Sequence, residues 1–162
     1  MIPIVGFNYG AGKLDRITSV IRFALLVALG IMIPGMVFIF IFPKLVLLLF
    51  NPAETAIAAG IPALRIITVS FPFAAINVIL SAAFQAVDAS FYSLEVSFAR
   101  QIIIVLPILW ILGLIDPALV WWSVPLSEAI GMILALILYR RIYLTKIVGL
   151  KNPQDLLGGT IV

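Results

Sequence analysis

Cysteine and histidine are both missing from the 162 residues. Without cysteine there is no disulfide, no thiolate metal site and no cysteine nucleophile. Without histidine, zinc-hydrolase and Ser/His/Asp chemistry lack their imidazole. Charge is scarce as well: 10% of residues are charged against 64% hydrophobic, and mean hydropathy is +1.28. A water-soluble domain must cover itself with polar surface, and this composition does not supply enough of it. The chain belongs in a bilayer, and no enzymatic role is expected of it.

Four apolar segments reach the roughly 20 residues that cross a hydrocarbon core of about 30 Å. They read as helices over about 17–42, 56–84, 92–115 and 117–141. The first, Ile17 to Phe42, is interrupted only by Arg22, and the second contains Arg65. Ile102 to Ile115 is too short alone, so the third helix is extended back through Tyr92-Ser93-Leu94-Glu95-Val96-Ser97-Phe98-Ala99-Arg100. Asn51-Pro52-Ala53-Glu54 has the form of a helix start, with a capping asparagine, proline at the first helical position and glutamate at the third. Asp116-Pro117 repeats the device before the fourth segment. Between Pro43 and Asn51, Lys-Leu-Val-Leu-Leu-Leu-Phe is too short to span and too apolar for water, and reads as a short interfacial helix. The expectation is an all-α integral membrane protein: a membrane domain over 1–146 and a cytosolic tail over 147–162.

Lys and Arg set the orientation. With both chain ends in the cytosol, Lys13, Arg16, Arg22, Arg100, Arg140, Arg141, Lys146 and Lys151 fall inside, and only Lys44 and Arg65 lie near the outer face. Trp121 and Trp122 then mark the outer aromatic belt and Tyr139 and Tyr143 the inner one. The formal charge of +3 is accounted for by topology, lipids are the expected surroundings, and no nucleic-acid partner is needed. No cleavable signal peptide is visible at the start. The expected location is the cytoplasmic membrane.

The run Gly6-Phe7-Asn8-Tyr9-Gly10-Ala11-Gly12-Lys13-Leu14-Asp15-Arg16 invites a phosphate-loop reading, which its spacing refuses. A Walker A loop needs glycine where Phe7 stands and a hydroxyl where Leu14 stands. The dinucleotide pattern fails at Asp15, and no strand precedes it. The run is instead expected to end a helix, with glycine in a left-handed conformation and Asn8, Tyr9 and Lys13 at the interface. A complete helix is expected before Gly6, yet Met1 to Val5 cover only about 8 Å. The chain therefore reads as cut from a longer one.

Pro3 to Ile17, with its GFNYGAGKLDR core, resembles the segment closing the second helix of the C-terminal lobe in MATE (multidrug and toxic compound extrusion) transporters. Phe42-Pro43, then Asn51-Pro52 to Ala63-Leu64-Arg65-Ile66, is similar to that family's passage from helix nine to ten. Phe84-Gln85-Ala86 leading to Ser97-Phe98-Ala99-Arg100-Gln101 looks like its tenth-to-eleventh connection, and Pro125-Leu126-Ser127-Glu128 like the start of helix twelve. The resemblance implies the end of helix eight through helix twelve of a twelve-helix antiporter with two six-helix lobes. Such an antiporter exports drugs or organic cations, a small-molecule substrate, against protons or sodium and without another cofactor. The N-terminal lobe, or a partner chain in its place, would have to complete the cavity. Two alternatives stand beside it: a lipid-linked oligosaccharide flippase of the same superfamily, and an inactive remnant or small membrane scaffold.

Polar residues inside the apolar segments are the candidates for a substrate or ion pathway. Glu128 lies about 16 Å past Pro117 if the helix is regular. It serves either as a proton carrier or, neutral or paired, as a fastener of the last helix. Asn77, about 18 Å beyond Arg65, either contacts substrate or bridges helices. Gln85 follows it on the same segment. The stretch Ser70 to Asn77 has no carboxylate where the resemblance implies an acidic cation-coupling residue in some branches. Arg22, Arg65 and Arg100 are expected to snorkel to interfaces, and Pro34, Pro62, Pro72, Pro107 and Pro125 to free backbone carbonyls inside helices.

Overall fold

The computed structural model describes residues 1–50 and 53–144, and these are almost entirely helical. The tail over 147–162, and the asparagine–proline start expected at 51–52, lie outside the described residues. The first helix, α1 (Ile2–Gly10), ends as its glycines require. Gly12 sits at φ +65°, the amide of Gly12 donates to the Tyr9 carbonyl at 3.1 Å, and that of Lys13 to Asn8 at 2.9 Å. These two bonds form a Schellman motif, which satisfies the last carbonyls of the helix and turns the chain directly into α2 (Leu14–Ile41). A β-branched residue in that left-handed position is strained, so Gly12→Val is expected to cost about 1–2 kcal/mol. Gly12→Asn should cost clearly less. Thermal unfolding in detergent, followed by tryptophan fluorescence, reads the difference; equal melting of the two variants would sink the account.

Beyond Arg22, α2 is apolar, and its most hydropathic window is unburied within the chain, as suits a helix solvated by lipid or by further protein. After it, α3 (Pro43–Leu48) is the short helix expected from its length. It lies against α4 (Glu54–Thr68), where Leu47 approaches Gly60 closely.

The segment expected as one helix over 56–84 is instead two, α4 and α5 (Phe71–Ala86), bent by 48° at Val69-Ser70. Pro72 is the cause. Its ring cannot share space with the Thr68 carbonyl and it has no amide to donate, so the ladder stops one turn earlier. The amides of Val69 and Ser70 tighten onto the carbonyls of Ile66 and Ile67, and the hydroxyls of Thr68 and Ser70 donate to Leu64, Arg65 and Ile67. Pro72 therefore opens a helix rather than interrupting one, as does Pro125 in the first turn of the last helix. Pro34 and Pro62 do sit inside helices.

The third crossing is one run of 26 residues, Ser90–Ile115. It comprises α6 (Ser90–Phe98), a π-helical stretch over Ala99–Ile104, and α7 (Val105–Ile115). The widened turn lies just before Pro107, whose ring would otherwise meet the Ile103 carbonyl. Asp116 then caps the next segment as its sequence predicts, its carboxylate accepting from the Ala118 amide at 2.8 Å. That segment begins as a 3₁₀ helix, Pro117–Trp122, before continuing as α8 (Ser123–Ile142).

α5 is the centre of the assembly and packs against α1, α2, α6 and α8. The buried core gathers at the end of the bundle where α2 starts and α8 finishes. Phe84, Ile17, Leu80, Val5 and Val87 are its largest fully enclosed apolar side chains.

Candidate functional site

Three polar side chains from three crossings meet at depth. Asn77 in α5 is 1% exposed. Its amide nitrogen donates to the Glu128 carboxylate oxygen Oε2 at 2.8 Å and to the Glu128 backbone carbonyl at 3.0 Å. Arg100, in the π-helical stretch, reaches the same Oε2 from the other side at 2.7 Å. Both neighbours of the Asn77 amide nitrogen are acceptors, which fixes the orientation of its amide. The Arg100 and Glu128 side chains are 12% and 16% exposed.

Local structure explains how these residues meet. The 3₁₀ opening of the last segment rises about 2.0 Å per residue, which puts Glu128 roughly 20 Å from Pro117, deeper than a regular helix would. Arg100 lies at a similar depth on the other side of the Asp116 turn. Gly131, one turn beyond Glu128 on α8, is the opening through which the arginine passes. A Cβ there would stand 2.9 Å from Arg100 Cδ and 3.0 Å from Cγ.

Arg100 thus does not snorkel; it spends its charge on Glu128 inside the bundle. That follows from the cost of a lone charge in hydrocarbon, which a paired and hydrogen-bonded arrangement reduces. Arg65 stays exposed, at the far end of α2. Its Nε donates to the Phe40 carbonyl at 3.2 Å and its guanidinium lies 5.7 Å from the Phe40 ring centroid, closing the end of α2. Arg22 remains exposed on the outer face of α2.

Two buried polar atoms of the cluster have no partner among the described residues, Asn77 Oδ1 and Arg100 Nε. Beside the ion pair is a cavity of about 290 Å³ lined by Arg100, Gln101, Val105, Val124, Ser127 and Glu128. The arrangement is a polar lock across α5, the π-helical stretch and α8, with space alongside. A second cation at Glu128 would have to compete with Arg100, which limits the carboxylate as a free ion carrier.

Gln85 stands apart from the cluster. It is exposed near the end of α5 and donates to Ser93 Oγ at 3.0 Å, bracing the turn into α6. The helix-end residues are also placed away from it. Gly6 faces the Ala86 carbonyl, Asn8 donates to its own helix at Ile4, Tyr9 leans on the core, and Gly10 and Gly12 are exposed in the turn.

The sequence model of the MatE family matches residues 1–111. The chain belongs to the MatE family. Among solved structures it is similar to the inward-facing conformation of a multidrug resistance MATE family transporter of the MOP superfamily, at a TM-score of 0.83 and 21% identity. That likeness shows the fold. The match takes in 94% of this chain and 35% of the transporter, so the chain spans about a third of that protein's length. No curated protein gives a significant sequence match. As a MatE chain it is a multi-pass membrane protein, and its fold is that of part of such a transporter.

Proposed function

We propose that this MatE chain forms one wall of a cation-coupled antiporter that exports drugs or organic cations across the cytoplasmic membrane. The observation that carries the reading is the family match, which runs unbroken from the glycine turn to the third crossing. A second lobe or a partner chain would complete the cavity, and protons or sodium would drive the exchange. With Arg100 engaged at depth, Lys13, Arg16, Arg22, Arg140 and Arg141 still gather where α2 begins and α8 ends, which supports a cytosolic position for that end. The engaged arginine also disfavours the oligosaccharide-flippase alternative, for which a more cationic cavity would be expected.

In this reading Asn77, Arg100 and Glu128 make α5, the third crossing and α8 move as one body when the two walls rock. They position helices and do not carry the coupling ion. Inverted vesicles containing the protein as it occurs in the cell should extrude a fluorescent organic cation when a proton or sodium gradient is imposed. Efflux that survives collapse of both gradients defeats the antiport reading. Glu128→Gln keeps an acceptor for Asn77 and Arg100 but leaves the arginine's charge uncompensated, so it should lower stability; in the protein that still folds, efflux should be nearly intact. Complete loss of transport in a normally folded Glu128→Gln protein would instead make Glu128 a carrier.

A further inference from the structure

We propose that the groove at the start of α2 is a binding site for the headgroup of an amine-bearing phospholipid, with its phosphate on Arg22 and its ammonium on Asp15. Asp15 and Arg22 are two helical turns apart on one face of α2, about 10 Å along the axis. The groove between them has a volume of about 410 Å³, and Thr18, Ser19 and Tyr143 complete its polar lining. Arg22 makes no ion pair or hydrogen bond among the described residues. Arg22 and the residue after it, Phe23, which is 69% exposed, both stand outside the packed core of the described residues. A cation in that position is stabilised by an anion at the headgroup level, toward which helical side chains already lean.

The hydrogen-bonding capacities divide along the groove in the same sense. Thr18 Oγ1 donates to the Leu14 carbonyl at 3.2 Å and Ser19 Oγ to the Asp15 carbonyl at 2.7 Å. Their protons are committed to the helix, so these hydroxyls offer only lone pairs to a ligand. Together with the Asp15 carboxylate they form an acceptor set, suited to an ammonium with N–H bonds. Arg22 and the Tyr143 phenol are the donor set, suited to phosphate oxygens. Phosphatidylethanolamine satisfies both sets; phosphatidylglycerol lacks the amine, and the choline headgroup has no N–H to donate. Lys13 and Arg16 line the neighbouring groove with Asp15, so the mouth is basic overall and draws the phosphate.

Native mass spectrometry of the purified protein, offered equal amounts of phosphatidylethanolamine, phosphatidylglycerol and phosphatidylcholine in detergent, tests the assignment without any transport assay. Phosphatidylethanolamine should be retained about tenfold over the other two, equivalent to ~1.4 kcal/mol. Asp15→Asn should remove its advantage over phosphatidylglycerol, and Arg22→Gln should lower retention of all three. Water-soluble glycerophosphoethanolamine should compete far more weakly than the lipid, because it lacks the chains. Equal retention of the three lipids by the unaltered protein overturns the proposal, and so does a preference that survives both substitutions. Competition by the soluble headgroup as effective as by the lipid overturns the lipid as its occupant. Arg22→Gln removes an exposed charge and leaves the core untouched; should either variant misfold, the three-lipid comparison on the unaltered protein decides alone.

Discussion

Replacing Arg100 with methionine is expected to destabilise the fold by about 3–5 kcal/mol, because it leaves the Glu128 carboxylate uncompensated inside the bundle. The pair sits at 12% and 16% side-chain exposure with its N–O contact at 2.7 Å, so solvent provides little substitute. Removing both charges should be far milder. Arg100→Met combined with Glu128→Leu is predicted to recover most of the loss, since well-packed apolar replacements of a buried pair are often neutral or better. Gly131→Ala tests the same contact from the far side: its Cβ meets the arginine stem at 2.9 Å and should displace it from Glu128. Thermal melting in detergent micelles reads all of these, with tryptophan fluorescence as the signal because thiol-reactive dyes have no cysteine to report on. An Arg100→Met protein as stable as its parent would show that the lock contributes nothing.

Truncating Phe84 to alanine should rank beside it, with a loss of about 3 kcal/mol or more. The ring is fully enclosed at the end of α5, and the space around it, bounded by Ile21, Val87, Tyr139 and Ile142, has no room for water. In a bilayer the helices are held by packing and polar contacts rather than by expulsion of water, so an emptied volume forfeits contacts that lipid cannot restore. Phe84→Leu keeps most of the volume and should lose less than about 1.5 kcal/mol. Equal melting of the alanine and leucine variants would mean that the void closes.

Much of the fold was legible because the deciding interactions are local. The glycine turn after α1 depends on residues within six positions of one another, and the Asp116 cap within three. Run length alone identified α3 as too short to cross and allowed Ser90–Ile115 to be joined into one span. The bend in the second crossing was less accessible. Pro72 was visible, but a proline in an apolar run either kinks a helix or begins a new one. Here it begins a new one, and the hydroxyls of Thr68 and Ser70 close the last turn of α4 by donating to the carbonyls of Leu64, Arg65 and Ile67.

The candidate site was half legible. Glu128 and Asn77 stand out as polar groups in apolar helices, and helix fastening was one role weighed for each. Arg100 was assigned to the interface because a lone arginine near a helix start most simply snorkels. Counted from the Asp116 turn at a regular rise, Arg100 is about 24 Å away and Glu128 about 18 Å; the π-helical stretch on one arm and the 3₁₀ opening on the other bring them level, and neither is legible in the sequence. Gln85 looked equivalent to Asn77 by residue type, yet the end of α5 carries it to a different contact.

By itself the sequence determined the solvent, the number and ends of most helices, and the chemistry that is unavailable, since composition, run length and capping act over a few residues at a time. Only the tertiary structure decided that Glu128 is shared between Arg100 and Asn77, residues 28 and 51 positions away. That choice depends on which helix faces which, on a 3₁₀ opening that deepens the carboxylate and on a glycine that admits the arginine. None of these is fixed until the crossings pack.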